Sequence, residues 1–65
     1  MSYLEFNERI QTLHNLIKLR SSGSTKDLSK KLNCSERTVH RLISIVRHIR
    51  GDVYWSRDYW SYCYS

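Results

Sequence analysis

The sequence predicts a mainly α fold with a C-terminal β-hairpin, in one domain spanning residues 1–65. Three observations predict it. Apolar residues recur at three- and four-residue spacing in two long segments and, at four-residue spacing, in a short one between them. Gly23 and Gly51, the two glycines of the chain, punctuate it before the short segment and after the second long one. Beyond Gly51 the composition changes: six of the eight aromatic residues lie there, beside Val53.

The first helix is predicted over residues 3–19, where Tyr3, Phe6, Ile10, Leu13, Leu16 and Ile17 form one apolar stripe. His14 borders the stripe and reads as a boundary residue rather than a ligand. Ser21-Ser22-Gly23-Ser24 is a turn-rich linker. A second, short helix follows over residues 25–32. Ser24 is its N-cap, Asp27 lies in the first turn, where a negative charge suits the helix dipole, and Leu28 and Leu32 give it one buried edge. Asn33-Cys34 then breaks the helix, because Asn tolerates the left-handed backbone of a tight turn.

The third helix is predicted over residues 35–49, capped by Ser35 with Glu36 behind it. Val39, Leu42, Ile43, Val46 and Ile49 fall within one arc. Arg37, Arg41, Ser44 and His48 fall on the opposite side, within about 60° of each other at the helical period. His40 and Arg47 flank them. Arg47, His48 and Arg50 make a basic last turn before Gly51, as expected at a helix C-terminus. Residues 53–64 read as a hairpin, with Val53-Tyr54-Trp55 and Tyr59 to Tyr64 as strands and Ser56-Arg57-Asp58 as the tip. A lone hairpin is barely stable in water, so it must lie against the helices. Tyr59 and Trp60 are adjacent and would face opposite ways in a strand, which leaves aromatic surface outside the core.

Size and composition exclude several classes. A 65-residue chain buries only about 60% of its unfolded surface and has little core to spare for a deep catalytic pocket. A hydrophobic content of 40% still argues for a folded chain. No apolar run approaches the ~20 residues of a membrane span or the roughly 7–15 of a signal peptide. No membrane partner is therefore expected, and the expected location is cytoplasmic and nucleoid-associated. Cys34 and Cys63 are too few for a secreted disulfide framework and read as small apolar fillers. The candidate ligands Cys34, Cys63, His14, His40 and His48 contain no CxxC pair, so no metal is expected. No phosphate loop, nucleophile–base pair or paired acids appear, so neither catalysis nor a cofactor is expected.

The net charge of +5 has a location. Residues 26–50 hold seven basic residues (Lys26, Lys30, Lys31, Arg37, Arg41, Arg47 and Arg50) against Asp27 and Glu36. That is the whole excess, since the flanking segments carry +1 and −1. A clustered excess is the electrostatic footprint of a polyanion binder.

Short helix, tight turn and longer basic helix is the helix-turn-helix arrangement. Ser29, Asn33 and Val39 occupy the places of that pattern's small residue, turn residue and interhelical β-branched residue. Leu28, Leu32, Cys34 and Leu42 occupy its other apolar places. The segment from Thr25 to Ile43 resembles the helix-turn-helix of DeoR-type and WYL-domain bacterial transcriptional regulators. Those carry a leucine–variable–serine–variable–arginine–threonine–valine signature, which Ser35, Arg37, Thr38 and Val39 match. The resemblance covers residues 8–64 and implies a three-helix winged helix-turn-helix domain. In it the hairpin is the wing, with Tyr62 in the place of a wing tyrosine and Ser61 in the place of a more usual glycine. No segment here corresponds to the sensor domain that follows in full-length members.

The predicted function is sequence-specific binding of double-stranded DNA, as a small transcriptional regulator or a phage or mobile-element factor. Arg37 and Arg41, one turn apart, suit guanine edges or phosphates. Ser35 and Thr38 are short donors for phosphates or neighbours of a thymine methyl. Ser44 and His48 lie further along as backbone contacts, and His40 flanks this set as a further DNA-binding position. Lys26, Lys30 and Lys31 lie on the helix that crosses the DNA backbone, and Arg57 stands at the hairpin tip. The rival is a winged-helix protein-docking module without specific DNA binding. A homodimer through the aromatic tail or the first helix is a separate expectation.

Overall fold

The computed structural model describes residues 2–65. It contains helices α1 (Tyr3–Lys18), α2 (Thr25–Lys31) and α3 (Glu36–Arg50), then strands β1 (Val53–Ser56) and β2 (Ser61–Tyr64). This is the three-helix layout with a C-terminal hairpin that the sequence predicts. The helix limits move by one residue, since Leu19 and Leu32 are C-caps and Ser35 is an N-cap.

Each helix starts at a serine. Ser2, Ser24 and Ser35 accept the backbone N–H three residues on, removing one orphan donor apiece. At Ser24 the cap is reciprocal: the Asp27 carboxylate accepts from the Ser24 N–H and hydroxyl, both at 2.9 Å. Those hydrogen bonds, backbone first, hold the Asp27 carboxyl below the usual carboxylate range. Gly23 is needed beside this cap. Its φ is +71°, and a Cβ there would stand 2.7 Å from Asp27 Oδ2.

Two helices end alike. At α1, Ser21 N–H donates to Leu16 O (2.9 Å) and Arg20 N–H to Ile17 O (3.0 Å), with Arg20 left-handed at φ 56°. At α2, Cys34 N–H donates to Ser29 O (3.0 Å) and Asn33 N–H to Lys30 O (3.3 Å), with Asn33 at φ 53°. Both are Schellman endings, which satisfy carbonyls that the helix leaves open. Asn adopts this backbone readily, whereas a long side chain such as Arg20 gives up about 1–2 kcal/mol.

The core lies between the three helices. Ile10, Leu13 and Ile17 of α1 meet Leu28 and Leu32 from α2 and its C-cap, and Val39, Leu42, Ile43 and Val46 of α3. Val53 closes it from the hairpin, and Phe6, Leu16, Cys34 and Ile45 pack on its margin. Ile49 departs from the predicted arc and is 59% exposed. It stands at the edge of that arc in the last turn of α3.

The hairpin is antiparallel, with Val53 opposite Tyr64, Trp55 opposite Tyr62 and Ser56 opposite Ser61. This register corrects the predicted tip. Arg57, Asp58, Tyr59 and Trp60 form the turn, so Tyr59 and Trp60 do not belong to a strand. Both are exposed because they sit in the turn, not because strand alternation turns one outward. Trp60 supplies the left-handed residue, at φ 50°.

Two of the polar clasps that hold the hairpin to the rest of the chain start from Ser22 in the α1–α2 linker and His14 on α1. Ser22 and Ser61 are fully buried, with hydroxyls 2.9 Å apart. Ser22 N–H donates to Ser61 Oγ (2.9 Å), and Tyr62 N–H donates to Ser22 Oγ (2.8 Å). The second clasp joins His14 Nδ1 to the Tyr64 hydroxyl at 2.7 Å. Burial pushes the Tyr64 phenol above its ordinary value. Burial, then the charges of Arg50 and Lys18, hold His14 below its ordinary value.

Ser22→Ala leaves the Tyr62 N–H without its partner. Thermal or urea unfolding should show a loss of about 1–3 kcal/mol. The loss in Ser22→Ala/Ser61→Ala should be less than the sum of the two singles, because the clasp acts as a unit. The His14 clasp predicts a pH dependence. The unfolded chain takes up the imidazole proton first, so stability is full above the ordinary value of 6.5 and declines as pH falls below it. His14→Gln should flatten that decline, and a decline of unchanged size in the variant would place its origin elsewhere.

Candidate nucleic-acid interface

The outer face of α3 is built by subtraction. Val39, Leu42, Ile43 and Val46 are taken into the core, which turns Arg37, Arg41, Ser44 and His48 to solvent. All four are exposed, and His40 is exposed beside them. Neither Arg37 nor Arg41 has a hydrogen-bond or ion-pair partner among the described residues. The ion pair found among the described residues lies elsewhere, on α1, between Arg9 and Glu5 at 3.9 Å. Two guanidinium groups one helical turn apart and free of protein partners form a fixed-spacing set of donors for acceptors outside the chain.

Ser35 and Thr38 are engaged with each other at the start of the helix. Ser35 Oγ accepts the Thr38 N–H (3.2 Å), and the Ser35 hydroxyl donates to Thr38 Oγ1 (3.1 Å). Ser35 is thus occupied as a cap, while Thr38 keeps its own hydroxyl proton to donate. Ile45 and Ile49 were not singled out as part of this face. With Arg41, Ser44 and His48 they line a shallow groove along it. The helical pattern carried that signal, since Ile45 and Ile49 lie four apart on one edge of the wet arc.

The remaining predicted positions divide. Lys26, Lys30 and Arg57 are exposed, and their side chains have no hydrogen-bond or ion-pair partner among the described residues. Lys31 is exposed too, but its ammonium donates to Ser21 O (2.8 Å) and Ser22 O (3.2 Å), bracing the α1–α2 linker. Arg47 leaves the outer face to donate to Val53 O at 3.2 Å, tying α3 to β1.

Sequence reasoning also missed Arg9. Its Nε donates to Leu32 O (3.1 Å) and its Nη2 to Asn33 O (3.3 Å), so α1 clamps the turn that sets the angle of α3. Arg20 was missed as well. It donates to the Tyr59 hydroxyl (2.9 Å) and lies 4.5 Å from that ring's centroid, a cation–π contact. Nothing local marks either residue, because the partners are far away in sequence.

Among the described residues no three His, Cys, Asp or Glu side chains gather where a metal ion would sit, and Cys34 and Cys63 are free. No described helix is long and apolar enough to cross a membrane.

The two adjacent lysines separate brace from free charge. Lys31→Ala should lower stability by about 0.5–1 kcal/mol in thermal unfolding, since a charged donor to two carbonyls is lost at an exposed site. Lys30→Ala should leave the midpoint in place. Equal effects would show that the Lys31 contacts contribute nothing.

No protein-family model, curated protein or solved structure matches the chain.

Proposed function

We propose that the chain binds double-stranded DNA in a sequence-specific manner, with α3 as a recognition helix in the major groove. The observation that carries this reading is the pair Arg37 and Arg41, exposed on one face of α3 and without a partner among the described residues. Arginines one turn apart on the second helix of a helix-turn-helix suit guanine O6 and N7 in the major groove. The concentration of the net charge in residues 26–50 supports a polyanionic partner.

The roles follow from position. Arg37 and Arg41 in the N-terminal half face the bases, and Thr38 lies on the flank with a hydroxyl to offer a phosphate. Ser44 and His48 lie further along, with Ile45 and Ile49 beside them as apolar neighbours for a thymine methyl or a sugar. Lys26 and Lys30 neutralise phosphates on the strand that α2 crosses. This is the work of a small transcriptional regulator, or of a phage or mobile-element DNA-binding factor, acting in the cytoplasm at the nucleoid.

Arg37→Ala/Arg41→Ala should abolish specific duplex binding in a shift assay at fixed salt and leave the thermal midpoint unchanged. Unchanged affinity would overturn the major-groove reading. Wild-type affinity should fall steeply with salt, because each phosphate contact releases counterions. A flat salt response would favour docking to a protein instead.

A further inference from the structure

Both tryptophans of the chain, Trp55 and Trp60, line one groove beside the hairpin, together with Tyr62, Ser24 and Thr25. Trp60 ends the hairpin turn at φ 50°, a backbone at which Gly or Asn is at ease, and it is 61% exposed. An exposed ring on a strained backbone contributes little to folding and points to a task outside it. The ring is nonetheless held. Trp55 meets it at 5.2 Å and 75°, and Tyr62 meets Trp55 at 5.1 Å and 69°, both edge to face. The Tyr62 hydroxyl is hydrogen-bonded to Thr25 Oγ1 at 2.9 Å, which ties the three rings to the first residue of α2.

The hydrogen-bonding groups of this groove are one-sided. An indole N–H only donates, and neither indole has a hydrogen-bond partner among the described residues. Ser24 is committed, since its N–H and its hydroxyl both donate to Asp27. The Tyr62–Thr25 bond uses one of that pair's two hydroxyl protons and leaves the other to donate outward. No lining residue carries a carboxylate. Donors beside aromatic rings suit a ligand that is apolar, rich in acceptors and poor in N–H groups. The groove holds about 280 Å³, just under the ~300 Å³ at which small-molecule pockets begin, so it takes side-chain rings rather than a whole cofactor. Lys26 follows Thr25 in the chain and Arg57 opens the turn that Trp60 ends; both are exposed, and Asp58 is the one carboxylate of that turn. This balance disfavours a cationic occupant and favours acidic flanks on whatever binds.

Proline combines these properties: an apolar ring, a carbonyl acceptor and no N–H. We propose that the groove binds a proline-rich segment of another protein, in the polyproline II conformation and flanked by acidic residues. The proline rings pack against Trp55, Trp60 and Tyr62, and the segment's carbonyls accept from the indoles and the spare hydroxyl proton. Such a segment is extended before it binds, so little conformational freedom is lost on a shallow surface. The 65 residues contain no proline, so a second copy of them does not supply it. The groove shares no residue with the outer face of α3, and its role does not depend on that face binding DNA.

Intrinsic fluorescence reads the site directly, because both tryptophans line it. The probe is a decaproline peptide with a pair of aspartates at each end, and the control carries alternating Gly and Ser in place of proline. The proline peptide should change the emission saturably below about 1 mM, and the control should not. Trp60→Gly and Trp60→Asn remove the ring and suit the left-handed backbone, so both should keep or raise the thermal midpoint. Both should bind the proline peptide about tenfold more weakly, read from Trp55. Lys26→Ala/Arg57→Ala should lose affinity for the flanked peptide and bind unflanked decaproline as the wild type does. Arg37→Ala/Arg41→Ala should bind the flanked peptide with wild-type affinity. Absence of a saturable response in the wild type overturns the proposal, as does an equal response to the control. Undiminished affinity in the Trp60 variants also overturns it, and undiminished affinity in Lys26→Ala/Arg57→Ala overturns the acidic flanks. A response to duplex DNA with none to the proline peptide would assign the groove to nucleic acid and overturn it as well.

Discussion

The angle between α2 and α3 decides what the rest of the molecule can do, and one left-handed residue sets it. Asn33 at φ 53° reverses the chain within three residues. Cys34 N–H and Asn33 N–H close the end of α2 on Ser29 O and Lys30 O. Arg9 then reaches across from α1 and takes the carbonyls of Leu32 and Asn33. With the turn fixed from both sides, α3 has one orientation that buries Val39, Leu42, Ile43 and Val46. The exposed arginines are a consequence of that orientation. In this sense the candidate interface is specified by the residues it does not contain.

The same logic governs the hairpin. Two strands of four residues have little independent stability. They are held by Val53 in the core, by the buried Ser22–Ser61 pair and by the His14–Tyr64 bond. These polar clasps are satisfied: no buried side-chain nitrogen or oxygen among the described residues lacks a partner. Buried hydroxyls that find each other stabilise one register, since a slip by one residue would leave them unpaired.

Much of this was legible in the sequence, and the physical reason is locality. Helical periodicity, the caps at Ser24 and Ser35 and the turn at Asn33 depend on residues a few positions apart. The opposition of Arg37 and Arg41 to Val39 and Val46 follows from the helical period alone. What was not legible depends on distant partners. Arg9 meets Leu32, Arg20 meets Tyr59, Ser22 meets Ser61 and Lys31 meets the linker only after the chain has folded. The hairpin shows a different limit. Aromatic composition favours a strand at Tyr59 and Trp60, but pairing of Ser56 with Ser61 takes both into the turn. There, tertiary register overrides local propensity.

The fold thus joins a core that orients one helix to a hairpin that braces its flank, and the charge lies where the core leaves it. The central claim is that the outer face of α3 reads base sequence. Selection of bound duplexes from a random-sequence pool tests it most directly. The account predicts enrichment of a short motif with guanines at fixed positions, matching two arginines one turn apart. Recovery of a pool with no enriched sequence would contradict it.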